Sequence, residues 1–209
     1  MRSIAKLMKD WQFTGPNGVP TAVELPHTWN ARDGQDGGND YWRGCCTYCT
    51  RFAAPVYDPA QQQVWLQFEG VNASAAVLLN GQQLCTHDGG YSTFRAEVTE
   101  LLQAENQLTV RVDNSVNDRV YPQKADFTFY GGIYRDVSLL VVNKNHIALG
   151  HFGDTGVKIT PALQENSADI RVETLVEGSG TVTVELLDAE GRTAAKGEGE
   201  NTFLNLDAP

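Results

Sequence analysis

The stretch ADFTFYGGIYRDVSLL, residues 125–140, sets two carboxylates, Asp126 and Asp136, among aromatic rings, a Gly-Gly pair and an otherwise apolar run. Two carboxyl groups held about 5 to 5.5 Å apart can serve as nucleophile and acid/base on a glycosidic bond. Ten residues of extended chain separate these two by up to roughly 33 Å. The Gly131-Gly132 break leaves the true distance open, so spacing alone does not make them a catalytic pair. Binding suits them better, because ionised carboxylates accept hydrogen bonds and sugar hydroxyls donate them. Phe127, Phe129 and Tyr130 beside Asp126 add apolar faces against which a pyranose ring can lie. Two plainer readings stand next to this one: Asp136 paired with a basic group, and Asp126 bonded to its own backbone in a turn. Gly131-Gly132 reads as a bulge or a close backbone approach.

A second concentration of acids lies in NARDGQDGGNDYWRG, residues 30–44, which carries Asp33, Asp36 and Asp40. Fifteen residues without apolar periodicity exceed the usual connection length; such loops are more often functional or disordered than idle, and Tyr41 and Trp42 argue against pure disorder. Hard cations want several oxygens, yet the spacing is not that of an EF-hand. The preferred reading is a pocket rim, with Asp40 as a hydroxyl acceptor and Trp42 as a stacking surface. Cys46 and Cys49 show a C-x2-C spacing, but CCTYCTRF has strand character, and positions i and i+3 of a strand face opposite ways. The four cysteines are therefore expected as reduced, packed thiols. His27 and His87 fall at apparent turns, His146 and His151 in a connector, and no Ser-His-Asp or His-x-His arrangement emerges.

The elements that must carry these residues are strands. In QVWLQFEG, Val64, Leu66 and Phe68 share one face, and NQLTVRVDNS repeats the alternation with Leu108, Val110 and Val112. Asn80-Gly81 between two apolar segments signals a tight hairpin. Helical periodicity is confined to a turn or two near VTELLQAEN, residues 98–106. The chain thus reads as antiparallel all-β, a sandwich of jelly-roll type over residues 1–143. After Val142 a connector gives way to a new set of alternating strands over 144–209, fewer residues than the ~100 of a complete immunoglobulin-like sandwich.

The 209 residues hold 16 Lys and Arg against 26 Asp and Glu, a formal charge of −10, which argues against a nucleic-acid surface. No apolar run of about 18 residues suggests a membrane span, and the opening MRSIAKLMKD lacks the apolar region of a signal peptide. A cytoplasmic location is the resulting expectation.

LPHTWN, the DGQDGGNDYWRG loop, FEGVNASAAVLLNG, GGYSTF, VRVDNS and DFTFYGGIYRDVSLL, in that order, resemble the N-terminal sugar-binding jelly roll of family 2 glycoside hydrolases. The resemblance covers residues from about 10 to 143 and is nearest the β-galactosidase branch. The tail from 144 resembles the start of those enzymes' immunoglobulin-like second domain. CCTYCTRF departs from the family pattern at Thr47 and Cys49, where bulkier or basic residues are usual.

The resemblance implies a parent enzyme that hydrolyses terminal β-glycosides with retention. Its two catalytic glutamates would sit on a downstream barrel, so no catalytic residue is expected in this chain and the chain alone is expected to be inactive. It further implies that acids matching Asp126 and Asp136 reach the glycone, the latter with a sodium contact in some β-galactosidases. The chain needs no cofactor on this reading, while sodium or magnesium could serve the full-length parent. Carbohydrate, the barrel of the same polypeptide and further copies in a homo-oligomer are the implied partners. The β-glucuronidase and β-mannosidase branches, a free-standing carbohydrate-binding module and a purely structural sandwich are the alternatives.

Overall fold

The computed structural model describes residues 2–31, 42–121 and 127–207. Contacts divide the chain into two units: residues up to Val142 with His151–Gly153, and Asn143–Gly150 with residues from Asp154 onward.

The first unit's strands are β1 (Ser3–Lys6), β2 (Trp11–Thr14), β3 (Pro20–Val23), β4 (Cys45–Ala53), β5 (Gln62–Phe68) and β6 (Val71–Asn72). They continue with β7 (Ser74–Leu79), β8 (Gln82–Asp88), β9 (Phe94–Glu97), β10 (Glu105–Asp113), β11 (Gly132–Ile133) and β12 (Val137–Asn143). One sheet runs β1-β12-β5-β9, the other β3-β2-β4-β10-β7-β8, and β11 pairs with β6 in a short ribbon. The six-stranded sheet is antiparallel throughout. The all-β expectation holds. The expected turn or two of helix near 98–106 is a single 3-10 turn, Thr99–Leu101, before β10 begins at Glu105.

Alternation explains how the sheets close on each other. Val64, Leu66 and Phe68 of β5 meet Tyr48 and Phe52 of β4, Leu108, Val110 and Val112 of β10, and Val77 and Leu79 of β7 in one core cluster. Strand β12 breaks the alternation: Val137 to Val142 are all buried, which is why VSLLVV reads as a continuous apolar run. In β4, Cys46 faces the core while Cys45 is exposed, and Cys49 lies on the Cys45 side. Burial raises the Cys46 thiol to about 12, so it behaves as a small hydrophobe.

His87 belongs to β8 rather than to a turn, and only 4% of it is exposed. Its ring stacks on Phe94 at 4.3 Å, and Nε2 lies 3.0 Å from both the Gly89 carbonyl and the Ser92 hydroxyl. Burial lowers the pKa of His87, and of His27 as well. The unfolded imidazoles therefore bind protons at higher pH than the folded ones. Their stability contribution is full above pH ~6.5 and is lost as pH falls below it. The thermal midpoint is expected to stay level from pH 8 to 7 and to drop between pH 6.5 and 5, with a smaller drop in His87→Gln; a calorimetric pH series checks this.

The second unit contains β13 (His146–Ile147), β14 (Val157–Leu163), β15 (Ser167–Thr174), β16 (Val176–Glu177), β17 (Thr183–Leu187), β18 (Thr193–Glu198) and β19 (Asn201–Asp207). They form a sheet β14-β15-β19 and ribbons β13-β16 and β17-β18. Ala168, Val172 and Leu204 are buried, whereas Ile159, Leu163 and Phe203 are exposed.

Candidate functional site

Two buried asparagines organise one end of the first unit. Asn30 follows LPHTW and Asn114 follows β10, 1% and 0% exposed respectively. The Asn114 amide donates to the Phe129 carbonyl at 2.8 Å and to Asn30 Oδ1 at 3.2 Å, while its Oδ1 accepts the Gly44 N–H at 2.9 Å. Asn30 Oδ1 also accepts the Gly131 N–H at 2.7 Å, and its amide donates to the Trp42 carbonyl at 2.8 Å. Arg43 Nε adds a 2.7 Å bond to the Asn114 carbonyl, and its guanidinium lies over the Phe129 ring. Side chains substitute here for the strand ladder that irregular backbone lacks.

The Gly-Gly pair is a close approach on both residues. Gly131 meets the Trp29 indole so tightly that a Cβ would overlap the ring. Its carbonyl accepts the Thr28 hydroxyl at 2.8 Å and the Trp29 N–H at 3.3 Å. Gly132 has φ +140, and a Cβ there would overlap the His27 carbonyl oxygen and stand 2.9 Å from the Tyr48 hydroxyl. That hydroxyl bonds His27 Nδ1 at 2.7 Å, and burial holds the phenol far above its ordinary range. HTWN is thus seated against YGGI.

Beside this junction lies a cleft of about 210 Å³ lined by Thr28, Asn72, Tyr91, Thr128, Tyr130 and Tyr134. Asn72 donates to the Tyr130 carbonyl at 2.6 Å, and the Tyr134 hydroxyl donates to the Gly90 carbonyl. Tyr91 and Tyr130 are exposed. Phenol faces with threonine hydroxyls and a carboxamide nearby form the kind of surface that takes a polyhydroxylated ring.

Of the five residues singled out from sequence, the three that are described, Tyr130, Trp42 and Asp136, do not come together. Tyr130 lines the cleft. Trp42 lies in a different groove of about 320 Å³ with Phe13 and Trp29, its ring 6.0 Å from that of Trp29. Asp136 is not among the cleft's lining residues; its Oδ2 is 2.6 Å from Lys6 Nζ, the pairing with a basic group that was one of the two plainer readings. The neighbouring Arg135 instead reaches the Glu69 and Tyr91 carbonyls. The hydrogen bond and charge of Asp136 raise the Lys6 pKa. Asp40 and Asp126 lie outside the described residues, but the chain that leads to each is pinned: Trp42 and Gly44 for the first, Phe129 and Gly131 for the second. Asn72, Tyr91 and the asparagine pair were not singled out from sequence. FEGVN, GGYS, VDNS and TWN each contained one of them, and each lay in a motif that carried the family resemblance.

The family model of the glycosyl hydrolase 2 galactose-binding domain-like unit matches residues 38–162. A beta-glucuronidase from Bacteroides fragilis is 32% identical over 212 residues, covering 97% of this chain and 30% of the relative. A beta-galactosidase from Thermoanaerobacter pseudethanolicus is 32% identical over 139 residues, 62% of this chain and 18% of the relative. The crystal structure of an FMN-binding beta-glucuronidase from Facaelibacterium prausnitzii L2-6 matches the whole chain with a TM-score of 0.92 at 33% identity, and 34% of that protein is covered. The chain therefore spans between about a fifth and a third of these relatives. The family match takes in more than half of the chain, and the chain belongs to glycoside hydrolase family 2 through its galactose-binding domain-like unit.

Proposed function

We propose that this chain is the substrate-facing N-terminal region of a retaining β-glycoside hydrolase whose catalytic carboxylates lie on a barrel elsewhere in the same polypeptide. The observation that carries the reading is the tyrosine-lined cleft, which takes Thr128 and Tyr130 from the segment that leads to Asp126. Phenol rings offer faces to a pyranose, and Thr28, Thr128 and Asn72 offer hydrogen bonds to its hydroxyls. Asp126 is the acid assigned to the glycone, with Asp40 at the rim and Asp136 held back by Lys6. The same reading makes the parent a cytoplasmic homo-oligomer, and none of its steps is assigned to a cofactor by this chain's residues.

Two glycones suit it. A galactoside fits acids that accept neutral hydroxyls. A glucuronide is favoured by relatives: the beta-glucuronidases cover 97% and 83% of this chain, against 62% and 61% for two beta-galactosidases.

The test is hydrolysis of 4-nitrophenyl β-galactoside and β-glucuronide by the full-length protein, with product anomers followed by NMR. One of the two is expected to be cleaved with retention, and Asp126→Ala to lose about 100-fold in kcat/KM while folded. Turnover of neither glycoside, or inversion at the anomeric carbon, overturns the proposal. Asp136→Ala is expected to lose less than Asp126→Ala, since the Lys6 ammonium already engages its carboxylate.

A further inference from the structure

Strand β10 carries a buried asparagine at each end of the sandwich. Asn106, near its start, is 2% exposed; Asn114 directly follows its last residue. Eight residues of strand place them roughly 26 Å apart. Asn106 serves the other end: its amide donates to the Gln103 carbonyl at 2.7 Å and the Phe52 carbonyl at 3.5 Å, and its Oδ1 accepts the Gln103 N–H at 2.9 Å and the Asn80 amide at 3.0 Å. Asn114 differs in what it joins. With Asn30, 84 residues away, it reaches Trp42 and Gly44 on one segment and Phe129 and Gly131 on another. Those are the segments that lead to Asp40 and Asp126.

We infer that the Asn30–Asn114 pair is a positioning device that sets residues 42–44 and 127–131 as one body, so that the chain ends leading to Asp40 and Asp126 hold one relative position. The inference rests on the proposed function for what the acids do, but not for the coupling itself. Asn30 Oδ1 receives both the Gly131 N–H and the Asn114 amide. A shift of either segment therefore pulls on the same two side chains that hold the other. No strand pairing joins residues 42–44 to 127–131 among the described residues; the amide bonds link them, together with the Arg43 guanidinium over the Phe129 ring. Misplacing a reacting partner by about 1 Å can cost about 100-fold in rate. The pair touches no proposed substrate atom and acts through the segments it joins.

The test has two arms on the full-length protein. In hydrogen exchange followed by mass spectrometry, Asn114→Ala is expected to speed exchange at least tenfold in residues 26–31 and 42–44 and in 127–134 together, with β4, β5 and β12 unchanged. Asn30→Asp keeps the acceptor for Gly131 and Asn114 but loses the donor to Trp42. It should speed 42–44 more than 127–134, and it serves if Asn114→Ala does not fold. Asn106→Ala is the control, expected to lower the thermal midpoint while leaving both segments as in wild type.

Exchange that rises in one segment alone in Asn114→Ala, or evenly over the whole sandwich, overturns the coupling. In the second arm, Asn114→Ala is expected to lose 10- to 100-fold in kcat/KM, mostly in kcat, well below its unfolding temperature, and Asn106→Ala to stay within twofold. Equal losses in the two variants reduce Asn114 to a structural residue. If the wild-type protein cleaves no β-glycoside, the functional reading fails and the exchange arm alone decides the coupling.

Discussion

Replacing Gly132 by alanine lowers the thermal midpoint by roughly 6 to 12 °C, the shift that about 3 kcal/mol produces in a chain of this length. Two costs combine. At φ +140 an L-residue is strained, by about 1 to 3 kcal/mol. The new methyl would also overlap the His27 carbonyl oxygen, and that backbone is tied to Ile133 by the His27 N–H bond of 2.8 Å. Flexible side chains can swing away from a methyl, but this carbonyl cannot. Gly81→Ala separates the two costs, because Gly81 has φ +82 and nothing within 4 Å of its would-be Cβ. It should lose only the conformational part. Equal midpoints for the two variants would show that the junction of HTWN with YGGI is looser than described.

Trp11→Ala is expected to cost about 3 to 5 kcal/mol at unchanged denaturant dependence, measured by chemical unfolding. Trp11 is fully buried on β2, meets Tyr48 edge-on at 6.4 Å, and donates its indole N–H to the Leu7 carbonyl at 2.9 Å. Truncation would empty the core beneath Tyr48 and leave that carbonyl without the bond. Trp11 lines neither the tyrosine cleft nor the Trp42 groove, so kcat/KM of the full-length protein should hold wherever the variant is folded. A loss below about 1 kcal/mol would mean that the core relaxes into the space.

What could be read from the sequence was local. Asn80-Gly81 announced its hairpin, and the structure gives both residues positive φ between β7 and β8. Alternation in β5 and β10 named their core faces, and strand geometry sent Cys46 and Cys49 to opposite sides of β4. The Gly-Gly pair was legible as a close approach, although not what approaches it. The site was harder, because its determinants are distant in sequence. Asn30, Asn72 and Asn114 have the residue type of turns, and only the fold reveals that their amides bind backbone up to 101 residues away. For Asp136, pairing with a basic group was among the readings, but the sequence did not name the partner, which is Lys6 on β1. His87 was misread because a histidine before Asp-Gly-Gly looks like a turn, while its burial depends on Phe94 and Ser92 from the next strand region.

Residues His151–Gly153 belong to the first unit although the chain has by then already entered the second. Arg95 donates its backbone N–H to the His151 carbonyl at 2.7 Å and its carbonyl faces His151 Nδ1 at 2.8 Å, while Gly153 packs on Thr93. The gene-level unit of exchange is accordingly longer than the strand count suggests. A recombination joint placed just after β12 would transplant a sandwich without the three residues that finish its β9 edge, whereas a joint beyond Gly153 carries them along. Shuffling of this module among larger enzymes should leave its scars downstream of 153, and the family match, which runs to residue 162, extends past that point.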